Sequence, residues 1–223
     1  MRNHTQPLPS ETEIVTSLSQ FRVHLKADQI AKVREYIRLL LVWNQSFSLT
    51  SVVDPLEILS RHFGESMFVS SVFPVDNCRL ADLGSGAGFP GLALKIACPS
   101  LQVILIESNK KKCAFLSEVV RSLELDGVEV MPVRFDEARI PRDFADIVTA
   151  RAVGGLQGIL RWAKAALSHR GHAILWLGGE DVTKVSSTEG WIWQPVLKIP
   201  ESQRRFILIG RTSPQAGFIS GAR

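Results

Sequence analysis

The stretch Asp82-Leu83-Gly84-Ser85-Gly86-Ala87-Gly88-Phe89-Pro90-Gly91 decides the fold. It joins a short apolar run, Cys78 to Leu83, to a helical segment, Phe89 to Ala97, that stops before Pro99. A strand that enters a glycine-rich turn and leaves it as a helix is a nucleotide-binding device. Glycine lets the backbone turn tightly and lets a ligand approach with no Cβ in the way. The glycines alone do not choose the ligand, because Gly86-x-Gly88-x-x-Gly91 also fits a dinucleotide loop.

Two acids separate the possibilities. Asp82 stands at the end of the entering strand. A carboxylate there repels a pyrophosphate and favours the ammonium and sulfonium of S-adenosyl-L-methionine. Glu107 closes the next apolar run, Leu101 to Ile106, where an acid can accept both ribose hydroxyls of an adenosine. NAD would use Glu107 too; only the methyl donor accounts for Asp82. The structural alternatives are a helix cap for Asp82 and an exposed strand-end acid for Glu107. After a third strand, Val128 to Val133, the triplet Arg134-Phe135-Asp136 offers a ring and an acid to an adenine, or forms a plain surface turn.

Outward from the loop the alternation continues. Asn109 to Leu125 reads as helix, Phe144 to Ala150 as strand, Leu156 to Leu167 as helix and His172 to Leu177 as a fifth strand. Runs such as Leu101 to Ile106 are apolar on both faces, as in a parallel sheet covered by helices on either side. The pattern predicts an α/β doubly wound sheet. Trp191–Ile199 and Arg204–Gly210 read as an antiparallel pair at its edge. Upstream, residues 10–45 and 54–70 are helical. Ser10 and Glu13 form a capping-box pattern, Asp28 is a candidate second N-cap, and Pro55 suits a first turn. Lys110-Lys111-Lys112 opens a helix at the end disfavoured for cations, so it is either a solvated face or a phosphate contact.

Composition bounds the rest. With 45% hydrophobic residues in 223, the chain can build a core without disulfides or a structural metal. Cys78, Cys98 and Cys113 form no C-x-x-C pair and read as reduced thiols on buried elements, so no metal centre is expected. Met1 to Pro9 is polar, unlike a secretory signal, and no apolar run matches a membrane span. A cytoplasmic monomer is expected. The net charge of +4 permits a nucleic-acid partner without requiring one.

Trp43-Asn44, Leu49-Thr50, the loop from Asp82 to Gly91 and Thr149-Ala150-Arg151-Ala152 together carry a resemblance. The chain resembles the small-subunit ribosomal RNA methyltransferase G family, also called glucose-inhibited division protein B, from about Trp43 to Ile209. Pro90-Gly91 makes the match far more specific than a bare glycine loop. The resemblance implies a class I S-adenosylmethionine-dependent methyltransferase fold. Residues 1–70 would be a helical extension, 71–211 a Rossmann-like domain with an antiparallel C-terminal strand, and 212–223 a frayed tail. It implies methylation of N7 of guanine 527 in 16S rRNA, as free RNA or in the small ribosomal subunit. It implies cofactor contacts at Gly84, Phe89, Phe135, Asp136 and Arg151, with Glu107 at the ribose position and Gly86 and Gly88 in the loop. Arg61-His62 matches the family's Arg-His block, and Arg151 and His62 are the catalytic candidates. Arg151 can hold guanine or a phosphate, or else pair with Asp82 or Asp136; His62 can position the acceptor or simply support the fold. Three departures stand out: Ser48 for an Asn, Glu65-Ser66 for an Asp-Ser pair, and Leu177 for a Lys. The rival functions are a methyltransferase for another substrate and a catalytically silent RNA-binding relative.

Overall fold

The alternating segments assemble into one mixed sheet of eight strands in a computed structural model that describes residues 7–152 and 154–213. Five strands run parallel: β1 (Arg79–Leu83), β2 (Gln102–Ile106), β3 (Val128–Met131), β4 (Ala145–Arg151) and β5 (Leu167–Gly178). Their spatial order is β3-β2-β1-β4-β5. The chain moves outward from β1 through β2 to β3, then crosses to β4 on the other side. The carboxyl ends of β1 and β4 therefore flank the switch point where ligand crevices open in such sheets. The glycine loop begins there.

Strand β8 (Arg205–Thr212) runs antiparallel beside β5, pairing Leu177 with Phe206 and Gly178 with Arg205. The expected strand Trp191–Ile199 is two pieces, β6 (Trp191–Trp193) and β7 (Leu197–Lys198), both paired to the far side of β8. Pro195 lies in the break, where it has no N–H to give the ladder. So β8 is an interior strand and not half of an edge hairpin. Thr212 still belongs to β8; the rest of the expected frayed tail, from 214, lies outside the described residues.

Helices cover both faces. α5 (Gly91–Ala97) and α6 (Lys110–Ser122) pack on one side, α7 (Leu156–Ala166) on the other, and α8 (Gly179–Ser186) follows β5. The N-terminal segment adds α1 (Glu11–Ser19), α2 (Ala27–Asn44), α3 (Pro55–Ile58) and α4 (Glu65–Met67). The capping box of α1 forms as read, with Ser10 N–H donating to Glu13 Oε2 at 2.8 Å. Asp28 is not the cap of α2; it lies in the first turn behind Lys26. Gln29 accepts from Lys26 N–H at 2.8 Å and donates to Ile96 O at 2.7 Å, which ties the start of α2 to the end of α5.

Residues 54–70 are not one regular helix. A wide π turn, Leu59–Gly64, separates α3 from α4, and a 3-10 turn, Phe68–Ser71, ends the segment. Gly64 lies against the Phe21 ring, where a Cβ would overlap the aromatic carbons. Ile14, Phe21, Tyr36 and Phe63 of the N-terminal helices share one core with Leu80, Leu92, Val103 and Phe115. The extension thus completes the core on one face of the sheet.

Candidate active site

The loop after β1 turns on Gly84, Gly86 and Gly88, whose φ angles are 65°, 57° and 88°. These are left-handed values that an L side chain rarely adopts. Gly88 is also sterically required: its missing Cβ leaves the space taken by the Tyr36 hydroxyl. That hydroxyl donates to Ala87 O at 2.5 Å, so α2 holds the loop directly. The Tyr36 ring stacks on Phe89 at 5.3 Å, and Phe89 stacks on His62 at 4.9 Å. Phe89-Pro90 is a cis peptide.

The two acids act on this loop. Asp82 is fully buried beneath it. Its Oδ2 accepts from Gly91 N–H at 3.1 Å and its Oδ1 from the Thr149 hydroxyl at 2.8 Å. It caps the first residue of α5 from within the sheet. Burial pushes its carboxyl up to about 7, against hydrogen bonds from Thr149 and Gly91 that favour the charged form. Glu107 accepts from Gly86 N–H at 2.9 Å through Oε2 and from Asn109 N–H at 2.8 Å through Oε1. Each carboxylate oxygen keeps a second lone pair for a ligand. At Gly86 only Gly84 O, at 3.7 Å, approaches the place of a Cβ, so bare backbone faces the cleft.

A cavity of about 210 Å³ opens over this loop, lined by Gly84, Gly86, Phe89, His62 and Arg151 among others. Phe135 and Asp136 do not line it. Phe135 packs with the core under α7, and Asp136 forms an exposed pair with Arg134 at 2.9 Å. Lys112 reaches the cavity wall, whereas Lys111 lies over the Phe47 ring at 4.9 Å.

Arg151, at the end of β4, pairs with neither Asp82 nor Asp136. Its guanidinium donates to Ser66 Oγ at 2.9 Å, to Glu65 Oε2 at 3.1 Å and to Arg61 O at 2.6 Å. The π turn prepares this contact. Glu65 N–H bonds to Ser60 O, five residues back, where an α-helix would have bonded it to Arg61 O. Glu65 is only 2% exposed and also pairs with Arg205 of β8 at 2.6 Å. Its backbone carbonyl accepts from Trp176 Nε1 at 2.8 Å. One buried residue therefore joins the π turn to β4 and β8 through its carboxylate and to β5 through its backbone carbonyl. Burial raises the Glu65 carboxyl more than its guanidinium neighbours lower it, and burial likewise brings Arg151 down to about 10. The Glu65-Ser66 departure keeps a carboxylate and a hydroxyl facing Arg151.

His62 bonds through Nε2 to the Thr50 hydroxyl at 2.8 Å. Asn44 closes the loop that carries Thr50, accepting from Leu49 N–H at 2.8 Å and Thr50 N–H at 3.0 Å. Burial, then Arg151, Arg61 and Arg205, drives the imidazole down to about 3, so it is neutral at physiological pH. The sequence named neither Tyr36 nor Trp176, and quoted Thr149 only as part of a motif, without a role. Tyr36 carried a usable signal, as the chain's single tyrosine on the apolar face of a helix.

A second cavity, of about 350 Å³, lies beside the first. Leu156, Trp176, Leu177 and Ile199 give it apolar walls, and Arg205 and Asp181 add charge. Thr50, His62, Arg151 and Ala152 line both cavities and so form the wall between them. Leu177 lines this second space.

A doubly wound sheet with a glycine loop at the switch point, two adjoining cavities and an antiparallel strand beside β5 defines a class I methyltransferase. The solved structures agree on the fold. The chain matches a SAM dependent methyltransferase from Aquifex aeolicus with a TM-score of 0.61 at 15% identity, over 73% of this chain and 96% of that one. A ribosomal protein L11 methylase from Lactobacillus delbrueckii subsp. bulgaricus matches with a TM-score of 0.58 at 13% identity, over 70% and 80%. Sequence narrows the class further. Ribosomal RNA small subunit methyltransferase G of Desulfitobacterium hafniense (strain Y51) is 36% identical over 187 residues, 82% of this chain and 77% of that protein. The protein of the same name from Xylella fastidiosa (strain M23) is 38% identical over 182 residues, 78% and 83%. The profile of the family described as rRNA small subunit methyltransferase G matches residues 29–190, and the chain belongs to that family.

Proposed function

We propose that this enzyme transfers a methyl group from S-adenosyl-L-methionine to N7 of a guanine in 16S rRNA, guanine 527 by the resemblance. The observation that carries the reading is the wall shared by the two cavities. A cofactor over the glycine loop and a base in the neighbouring cavity would meet at His62 and Arg151.

The residues fit the cofactor. Bare backbone at Gly84 and Gly86 admits a close ligand, Glu107 offers lone pairs to ribose hydroxyls, and Phe89 and Arg151 border the reacting end. Phe135 and Asp136 would take the adenine beyond the cavity. Asp82 acts through the loop, fixing its exit at Gly91 and placing a carboxylate beneath it. When bound, the cofactor supplies an electrophilic sulfonium methyl group. The protein's part is proximity and orientation. Guanine N7 has a free lone pair and no proton to lose, so no general base is needed. A histidine held neutral agrees with that: His62 positions the acceptor side of the wall through Thr50 and Phe89. Arg151, braced by Glu65 and Ser66, holds the base or its phosphate.

The protein would work as a cytoplasmic monomer on RNA or on the small ribosomal subunit. No helix among the described residues is long and apolar enough to cross a membrane. Calorimetry should show binding of S-adenosyl-L-methionine, weakened strongly by Asp82→Ala; tighter binding of NAD would overturn the cofactor reading. Undermethylated small-subunit RNA or subunits, incubated with labelled donor, should gain label at one guanine N7. Label elsewhere, or none, would overturn the acceptor reading alone.

A further inference from the structure

The second cavity holds a carboxylate that the reading above leaves unused. Asp181 lines it from the first turn of α8. The cavity's other acid, Glu65, is taken on both oxygens by Arg151 and Arg205. Among the described residues Asp181 has only a loose, half-exposed pair with Lys184 at 3.6 Å. It touches the second cavity and not the first, so it lies away from the wall where methyl transfer would occur. The Arg205 side chain, although paired to Glu65, keeps 35% exposure and lines the same cavity. Arg205 pairs in register with Gly178, the residue just before α8, and both Arg205 and Asp181 line this cavity.

We infer that Asp181 is the residue that recognises the acceptor guanine, accepting hydrogen bonds from its N1–H and 2-amino group while N7 faces the shared wall. The inference rests on the guanine acceptor proposed above. In a purine, N7 and the N1/N2 edge lie on opposite sides of the ring system. A base with N7 toward His62 and Arg151 must therefore present N1 and N2 away from the shared wall, and Asp181 belongs to the part of the lining outside that wall. Enzymes that act on an extruded base read its Watson–Crick edge by hydrogen bonds and hold its faces between apolar and aromatic side chains. Leu156, Ile199 and Trp176, whose indole is fixed by its bond to Glu65, supply such walls. A carboxylate beside a guanidinium N–H matches the guanine order of two donors beside the O6 acceptor. Adenine would put its N1 lone pair against the carboxylate and its amino group against the guanidinium.

The same contact serves the chemistry. The N7 lone pair forms the new N–C bond as the methyl–sulfur bond breaks, and that bond's electron pair stays on sulfur. The base gains one positive charge, the sulfur loses one, and no proton moves. The charge spreads over the purine and strengthens N1–H as a donor. A carboxylate on that edge then binds the transition state more tightly than the ground state.

The test compares RNA carrying guanine at the target with the same RNA carrying inosine, which lacks only the 2-amino group. Wild type should prefer guanine in kcat/KM by about 10- to 100-fold, the range for a paired contact to a base edge. Asp181→Ala should lower kcat on guanine and bring the preference close to 1, with binding of S-adenosyl-L-methionine unchanged. If that variant does not fold, the isosteric Asp181→Asn carries the same readout, because an amide cannot accept both hydrogens equally. A folded variant that keeps the full preference overturns this inference alone. A wild type that leaves guanine N7 unmethylated overturns the acceptor reading with it.

Discussion

Glu65 shows how one side chain can organise a site. It is buried, and its two oxygens hold Arg151 and Arg205 at 3.1 Å and 2.6 Å. Removing one partner of such a group strands charge in the interior. Glu65→Gln should destabilise the fold by about 3 kcal/mol, seen in thermal unfolding, and should loosen Arg151 in the wall between the cavities. Asp82 makes a different prediction. Its carboxyl lies at about 7 in the folded protein, above the ordinary 3.8. Between those values the folded state holds a proton that the unfolded chain releases, so this group's contribution to stability falls as pH rises from about 4 to about 7. Asn at this position does not titrate. The melting-temperature difference between wild type and Asp82→Asn should move in the variant's favour across that window and level off above it. A difference that is flat with pH would show that Asp82 is ionised throughout.

At the scale of elements, the glycine loop is shaped from outside itself. Helix α2 contributes the Tyr36 hydroxyl that fills the space left by Gly88 and bonds Ala87 O. Tyr36→Phe removes that bond and leaves a buried carbonyl short of a donor, at a cost of about 1–3 kcal/mol. Affinity for S-adenosyl-L-methionine should fall with it, while a loop shaped by its own sequence would keep full affinity. The π turn is a second such element. Its changed backbone register brings Arg61 O and Glu65 to Arg151, which a regular helix over 54–70 would not do. The π turn was not legible beforehand, and the single tyrosine on an apolar helix face pointed to a role without naming its partner. A hydroxyl on an apolar helix face and a one-residue change in helical register leave no periodic trace in the chain.

The whole molecule is built on a core that crosses the boundary drawn at residue 70. Phe21, Tyr36 and Phe63 pack in one cluster with Leu92 and Phe115. Without residues 1–70 the sheet would expose that face, and the truncated chain should show no cooperative thermal transition by circular dichroism. A truncated chain that melts cooperatively would establish the sheet as an independent domain. The shared wall of the two cavities is likewise a property of the whole. Thr50 and His62 come from the extension, Arg151 and Ala152 from the end of β4, and their common wall exists only when both layers are in place.

The sequence by itself determined the sheet, the glycine loop and the ligand class that loop suits. These follow from local rules: strand and helix periodicity, glycine where φ must be positive, and an acid at each of two strand ends. The approximate places of Gly84, Phe89, His62 and Arg151 came with them. Only the tertiary structure decided what these residues touch. It turned Asp82 inward to cap α5, gave Arg151 to Glu65 in place of Asp82 or Asp136, kept Phe135 and Asp136 out of the loop cavity, and put Asp181 in the lining of the second cavity. The physical reason is that hydrogen-bond and charge partners are chosen by proximity in a packed interior. Residues such as Glu65 and Arg205, far apart in sequence, meet only after the sheet and its N-terminal layer have closed on each other.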